Sequence, residues 1–198
     1  HTSGRIHLDG QPMEHLQVRA RIGRGLALVP EERQQAGLVP TFTLEQNITL
    51  ASLGKHSRLG CLSGQQEQSS AERMIAQLHI KTTGPRQPIT SLSGGNQQKA
   101  VISKCLLTQP RVLLMDEPSR GVDVGARGEI FEIARKLASD GIAILFSSSD
   151  LHEVLTLADR VMVMSRGYLT ASYTRASITE QGLMAAACAK PEGAHARA

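Results

Sequence analysis

The sequence predicts an α/β protein with a parallel central sheet. Three wholly apolar segments, at residues 112–115, 142–146 and 161–164, lead to this prediction, because helical patterns with one apolar face separate them. Apolar runs of this length are typical of strands buried on both faces, and such strands occur in parallel sheets that helices cover. Ligands of these sheets bind at the carboxyl ends of the strands.

Shorter elements are predicted in the first part of the chain. Residues 5–9 alternate between polar and apolar side chains and residues 26–29 are apolar, so each segment fits a short strand. Thr43 and Gln46 have the spacing of a capping box, which predicts the start of a helix. Residues 60–70 are polar and fit a surface loop ahead of another helix.

Helices alternate with the apolar segments in the second part of the chain. Apolar positions recur with helical spacing at about residues 96–107 and 126–138. Asp150 and Glu153 form a second capping-box pattern ahead of a short helix, and residues 179–187 fit a small helix. This alternation supports the parallel sheet.

Composition and charge exclude several classes of protein. The chain has 198 residues, of which 40% are hydrophobic and 20% charged, so it can bury a core and is not a disordered or collagen-like chain. The net charge of +4 comes from scattered basic residues, which argues against a nucleic-acid partner. No apolar run approaches the roughly 20 residues of a membrane-spanning helix.

The sulfur-containing residues are expected to be structural. Cys61, Cys105 and Cys188 are an odd number without a Cys-x-x-Cys pair, which indicates unpaired thiols in a reducing compartment. Met162 and Met164 alternate on an apolar segment and are expected in the core. The seven histidines show no metal-ligand spacing.

A Ser-Gly-Gly turn precedes the helix predicted at residues 96–107. The two glycines let backbone N–H groups approach an anion, the helix start adds positive potential, and Ser93 adds a hydroxyl. This geometry suits a phosphate group. Taken alone, however, such a turn is more often an ordinary loop.

Two carboxylates follow the apolar segment at residues 112–115. Asp116 and Glu117 each need solvent, a cation or a hydrogen-bond donor at the end of a buried strand. Asp116 is placed to hold Mg²⁺, and Glu117 to orient an attacking water molecule. The alternative is a solvated strand end with helix-capping acids.

Together the two motifs resemble those of the ATP-binding cassette (ABC) ATPases. The resemblance is closer to the second cassette of the double-cassette subunits that power ribose-type sugar importers. It is carried by LSGGNQQK at residues 92–99, DEPSRGVDVGA at residues 116–126 and VPEER at residues 29–33, and it extends over about residues 4–187.

The resemblance implies a P-loop NTPase-like ABC ATPase domain. We expect a mainly parallel central sheet, antiparallel edge strands and a helical subdomain at about residues 42–108. The domain would occupy residues 1–188, without the N-terminal Walker A segment, and residues 189–198 would form a flexible tail.

The resemblance also implies a role for individual residues. Ser93, Gly94 and Gly95 match the signature motif, which contacts the γ-phosphate of ATP held on the opposite cassette, and Asn96 stands where most cassettes have Gln. Among the remaining positions, the Walker B aspartate corresponds to Asp116, the catalytic glutamate to Glu117, and the D-loop aspartate to Asp123. Arg120, beside that loop, is expected at an interface, where it could pair with a partner carboxylate.

Three departures from the family pattern indicate that the two ATP sites of such an assembly differ. The 198 residues contain no Gly-x-x-x-x-Gly-Lys followed by Ser or Thr, the phosphate loop of the family. Ser149 stands where active cassettes have the switch His, and its shorter hydroxyl cannot become cationic. Glu31 stands at the position of the Q-loop Gln. We therefore expect this chain to complete an ATP site on a partner cassette, while its own site is weak.

These interpretations lead to one functional hypothesis and two alternatives. The hypothesis is the ATP-binding subunit of a bacterial carbohydrate importer, using ATP and Mg²⁺ on the cytoplasmic face of the inner membrane. Its partners would be a second cassette, transmembrane permease subunits and, indirectly, a periplasmic sugar-binding protein, with no nucleic acid. The alternatives are a soluble non-transport ABC ATPase and a non-catalytic cassette that serves as an interaction module.

Overall fold

A computed structural model describes residues 4–58 and 61–189. The chain divides into two compact units, His1–Ser147 and Ser148–Ala198. Apart from residue 189, the tail predicted at residues 189–198 lies outside the described residues.

The first unit contains short strands, a parallel sheet and five helices within its described residues. In chain order these are β1 (His7–Leu8), β2 (Gln11–Pro12), α1 (Val18–Gly23), β3 (Leu26–Val29), α2 (Leu44–Thr49), β4 (Ser57–Arg58), β5 (Cys61–Leu62), α3 (Gly64–Gln77), α4 (Gly94–Leu106), β6 (Val112–Asp116), α5 (Val124–Ser139) and β7 (Ala143–Ser147). A π-helical turn at Arg33–Gly37 and 3₁₀ turns at Leu50–His56 and Ile89–Ser91 connect some of them.

The central sheet is parallel and has the order β3–β6–β7. Its register places Leu28 beside Leu114 and Leu114 beside Leu145. Leu113, on the other face of β6, is fully buried, whereas Leu28 is 55% exposed. Because side chains alternate between the two faces of a strand, one face of this sheet forms the core and the other carries a row of leucines.

Three helices pack together in the region between β3 and β6. A complete capping box of Thr43 and Gln46 starts α2, as the spacing predicted. The loop predicted at residues 60–70 is wrong, because α3 begins at Gly64 after Ser63 accepts a hydrogen bond from the backbone of Gln66. Gln, Glu and Ala favour helix, so a polar run of this composition folds into one when its first turn is capped.

Cys105 lies on the face of α4 that meets the sheet. Its thiol donates to the main-chain oxygen of Leu28 on β3 at 3.3 Å. Burial raises the pKa of this thiol to about 11, so the group is protonated and unreactive at neutral pH. Cys61 and Cys188 are exposed, and all three thiols are free.

The second unit combines an antiparallel hairpin with two helices. Its elements are α6 (Leu151–Leu157), β8 (Arg160–Ser165), β9 (Tyr168–Thr174) and α7 (Glu180–Cys188). The third apolar segment is therefore not a parallel strand: Arg166 and Gly167, both with positive φ, form a tight turn that pairs β8 with β9.

The expectation that Met162 and Met164 belong to the core is wrong. Val163 faces a buried cluster with Leu183 and Ala186, so its two neighbours on the strand point the other way. Met162 is 60% exposed and Met164 66% exposed.

The described residues contain no helix long and apolar enough to cross a bilayer.

Two leucines on neighbouring strands test this description of the sheet. Leu113→Ala removes a fully buried side chain, and we expect the free energy of unfolding to fall by about 2–5 kcal/mol. Leu28→Ala is the matched control and is expected to cost less than about 1 kcal/mol, because Leu28 is mostly exposed. Urea unfolding followed by circular dichroism measures both, and equal losses would contradict the assignment of the two faces.

Candidate functional site

The Ser-Gly-Gly turn forms the start of α4. Ser93 is the last residue before the helix and has an extended backbone conformation. Within the described chain its hydroxyl does not cap a backbone N–H group of α4. The first backbone N–H groups of a helix have no partner inside the helix, so they remain able to bind an anion.

The side chain of Asn96 fixes the Ser93 hydroxyl. Asn96 Nδ2 donates to Ser93 Oγ at 2.9 Å, and Asn96 Oδ1 accepts from the backbone N–H of Lys81 at 2.8 Å. Since Ser93 Oγ is the acceptor of the first bond, its own proton is available for another acceptor. Asn96 thus fixes the Ser93 hydroxyl in an orientation that leaves its proton available.

Ser93 and Asp123 line the same cavity, which has a volume of about 210 Å³. The other lining residues are Lys81, Gly95, Asn96, Gly125, Ala126 and Glu129. Asp123 is held in place at the start of α5, where its Oδ1 accepts from the backbone N–H of Ala126 at 2.9 Å. The structure therefore brings together the predicted signature turn and the predicted D-loop aspartate.

Close packing explains why glycine occupies the first two positions of α4. A Cβ atom on Gly95 would overlap with the Cβ atom of Ala126 on α5, and one on Gly94 would stand 2.9 Å from the main-chain oxygen of Gly121. The sequence suggested only that these glycines let an anion approach. The structure adds that they let α4 touch the neighbouring segments.

A buried lysine joins α4 to α5 beside the cavity. Lys99 Nζ lies 2.6 Å from Glu129 Oε2 and donates to the main-chain oxygen of His79 at 3.0 Å. The hydrogen bond from Lys99 lowers the pKa of Glu129 below its ordinary value. Sequence reasoning missed this pair, because a lysine within a helix is usually solvated and nothing local indicates a partner 30 residues away.

Two strand ends meet at Asp116, Glu117 and Ser147. The Ser147 hydroxyl donates to the Asp116 carboxylate, and the Glu117 backbone N–H donates to the Ser147 main-chain oxygen at 3.1 Å. Glu117 has a φ of 42°, a left-handed conformation that costs a non-glycine residue of the order of 1 kcal/mol. Such strain is found at functional sites, where the surrounding structure holds it.

The residues at this strand end fit a magnesium ion that a nucleotide helps to bind. The described residues contain no cluster of three or more His, Cys, Asp or Glu side chains that could hold a metal. Asp116 is nevertheless an exposed carboxylate, and Mg²⁺ is commonly held by one or two carboxylates together with phosphate oxygens and water.

Glu31 is paired within its own chain. Its carboxylate forms an ion pair with Arg120, whose guanidinium also lies 3.5 Å from Glu32. Arg120 thus pairs with carboxylates of its own chain, on the loop that follows β3, and its pairing across an interface stays a prediction. Glu31 is consequently placed against the loop that follows β6.

Ser149 belongs to the second unit. It precedes Asp150, which caps α6 by accepting from the backbone N–H of His152 at 2.9 Å. The Ser148 hydroxyl donates to the buried carboxylate of Glu153 at 2.7 Å. The switch role of Ser149 stays a prediction.

Sequence comparison places these residues among ABC transporters. The ABC transporter family profile matches residues 1–120. The chain is 47% identical to a xylose import ATP-binding protein of Pseudomonas syringae pv. tomato, over 96% of this chain and 36% of that protein. It is 43% identical to an arabinose import ATP-binding protein of the same strain, over 97% and 38%, and 43% identical to the xylose import ATP-binding protein of Escherichia coli K12, over 93% and 36%.

The chain spans less than two fifths of the length of these curated relatives. Among solved structures it is similar to a dimeric ATP-binding cassette in a post-hydrolysis state with ADP and phosphate. The TM-score is 0.74 at 21% identity, over 88% of this chain and 74% of that one. A nucleotide-free cassette from an ABC transporter gives 0.73 at 20% identity, over 87% and 70%. These likenesses confirm the predicted fold class.

The ion pair beside the cavity has a pH dependence that can be tested. Because the pKa of Glu129 is lowered from 4.5 on folding, the pair stabilises the fold above that pH and ceases to do so as the pH falls through the lowered value. We expect Glu129→Gln to reduce the melting temperature at pH 7, and the difference from the unmodified protein to shrink at pH 3. Glu132→Gln, an exposed position on the same helix, is the control, and a gap independent of pH would contradict the role given to the pair.

Proposed function

The chain belongs to the ABC transporter family of ATP-binding domains, and from this premise we propose that it is part of the ATP-binding subunit of a bacterial carbohydrate importer. The observation that carries the proposal is the cavity shared by Ser93 and Asp123. Its relatives named for xylose and arabinose import support a sugar as the cargo. Pentoses are the first candidates.

The signature turn would bind the γ-phosphate of an ATP molecule held by a second cassette. The backbone N–H groups at the start of α4, which the Ser93 side chain does not cap, would supply hydrogen-bond donors, and the Ser93 hydroxyl, oriented by Asn96, would supply another. Lys81 adds a positive charge at the same cavity, which the carboxylates of Asp123 and Glu129 also line. Such a site is completed only when two cassettes meet, so it couples phosphate binding to their closure.

The strand ends would serve a second nucleotide site, the one that belongs to this cassette itself. Asp116 would hold Mg²⁺, which when bound neutralises part of the phosphate charge. Glu117 would orient the attacking water. Glu31 stands at the Q-loop position, where its pairing with Arg120 ties it to the loop that leads to Asp123.

This site is proposed to be the weaker of the two. Ser149 would replace the switch His, and a neutral hydroxyl stabilises developing negative charge less than an imidazolium does. The chain would therefore contribute mainly by completing the site of its partner cassette. Substitution of Glu117 tests this asymmetry, because the intact carboxylate could still support ATP turnover at this chain's own site.

Closure and reopening of the two cassettes would drive the transport cycle. ATP binding would bring them together and hydrolysis would release them, moving the permease subunits between inward-facing and outward-facing states. The subunit would act at the cytoplasmic face of the inner membrane through those permeases, and a periplasmic sugar-binding protein would deliver the cargo. No nucleic acid takes part.

Two substitutions in the full-length transporter test the proposed division of labour. Ser93→Arg fills the cavity and is expected to abolish ATP turnover, whereas Glu117→Gln is expected to leave most of it. The control is Ser139→Arg, at the far end of α5, about 15 Å along the helix from Glu129, the last residue of α5 that lines the cavity.

Each other outcome of that measurement contradicts part of the proposal. Equal damage by Glu117→Gln would show that the site behind Asp116 works and that the asymmetry is wrong. Normal turnover in both variants would instead favour the non-catalytic interaction module.

Sugar uptake tests the transport function separately. Deleting the gene is expected to abolish uptake of at least one radiolabelled carbohydrate, with xylose and arabinose tested first, and the unmodified gene but not the Ser93→Arg variant should restore it. Unchanged uptake of every carbohydrate tested would favour a soluble non-transport ATPase.

A further inference from the structure

We propose that Arg33 is a positioning residue for the candidate ATP site. Its guanidinium group holds the loop between β6 and α5 against the first turn of α4. The inference rests on the proposed function, because the two segments that Arg33 brings together are those that would meet the nucleotide.

The guanidinium of Arg33 binds two successive main-chain carbonyl groups. Nη1 donates to the oxygen of Arg120 at 2.7 Å, and Nη2 donates to the oxygen of Gly121 at 2.9 Å. A planar fork with two donors fixes the direction of a peptide segment as well as its distance. The buried Nε of Arg33 has no hydrogen-bond partner among the described residues. The hydrogen bonds of this guanidinium are therefore made by Nη1 and Nη2 to the two carbonyl groups.

The same two loops are joined in the opposite direction. Arg120 extends from the loop after β6 to the carboxylates of Glu31 and Glu32, next to Arg33 on the loop after β3. Each loop therefore contributes one arginine, and the guanidinium of each arginine binds the other loop. The two positive charges of the pair are balanced by the two carboxylates, so the junction carries no net charge.

Gly94 brings the start of α4 into this junction. A Cβ atom on Gly94 would stand 2.8 Å from Arg33 Nη2 and 2.9 Å from the Gly121 oxygen. Gly121 has a φ of 65°, which a residue with a side chain rarely adopts. The loop is thus clamped between the guanidinium and the helix, with no space for a methyl group.

The clamped peptide lies between the two proposed functional acids. The backbone N–H of Arg120 donates to the Glu117 oxygen at 3.0 Å, and that of Val122 donates to the Ser119 oxygen at 3.1 Å. These turns connect Glu117 to Asp123, so the position of the clamped carbonyl groups sets where Asp123 stands relative to Ser93. Arg33 contacts no ligand in this scheme and acts through the loop.

The test compares steady-state ATP hydrolysis of Arg33→Gln and Arg33→Lys in the full-length transporter. We expect Arg33→Gln to lower kcat by about tenfold, because small misplacements of binding groups are costly. The KM for ATP should change less than about twofold, since the partner cassette holds most of the nucleotide. Lysine should give an intermediate kcat, because one ammonium group cannot replace the planar fork.

The matched control is Arg19→Gln, an exposed arginine on α1, which should leave kcat unchanged. A kcat of Arg33→Gln equal to that of the control would overturn the inference. If Arg33→Gln melts far below the control, Arg33→Lys decides by the same comparison.

A double variant identifies the contact through which Arg33 acts. Gly94→Ala pushes apart the same junction that Arg33 holds together. The two changes should therefore not add, and Gly94→Ala with Arg33→Gln should lose no more turnover than the worse single variant. Losses that multiply would show that Arg33 acts elsewhere, which overturns the inference.

Ser93→Arg separates failure of this inference from failure of the proposed function. If Ser93→Arg abolishes turnover and Arg33→Gln leaves kcat unchanged, only the positioning role is wrong. If Ser93→Arg also leaves turnover unchanged, the proposed function is wrong and the role of Arg33 is rejected with it.

Discussion

Two residues without side chains let the first turn of α4 touch its neighbours directly. At Gly94 the neighbour is the main chain that follows β6, and at Gly95 it is the first turn of α5. Any side chain at either position would push these segments outward. The cavity of Ser93 and Asp123 depends on this close approach, and the hydrogen bonds of Arg33 and Asn96 then hold the residues around it in position.

The parallel register of the central sheet brings the loops of the candidate site to the same edge. Val29, Met115 and Phe146 stand side by side on β3, β6 and β7, so the three strands end at one edge of the sheet. The loops that carry Glu31 and Arg120 leave the sheet at this edge. Main-chain carbonyl groups accept hydrogen bonds at this edge. The Ser147 oxygen accepts from the Glu117 backbone N–H, and the Gly121 oxygen accepts from Arg33. A sheet with antiparallel neighbours would have sent these segments to opposite edges.

Features encoded by neighbouring residues could be predicted from the sequence. The capping box at Thr43, the apolar strands of the central sheet and the acidic strand end follow from short-range patterns. The helix that replaces the loop expected at residues 60–70 could not, because polarity alone does not distinguish a solvated helix from a loop.

The pairs that organise the site were also beyond sequence reasoning. Glu31 with Arg120 and Lys99 with Glu129 join residues far apart in the chain. The motifs identified individual residues, but only the fold shows which of them pair.

The burial of the Cys105 thiol makes its reactivity depend on the packing of α4 against the sheet. It sits on the helix whose first turn forms the cavity, sealed against the carbonyl of Leu28 and protonated at neutral pH. An alkylating reagent should modify Cys61 and Cys188 at once, since both are exposed. Cys105 is buried and can be alkylated when its packing against β3 opens, so its alkylation rate measures how often that packing opens.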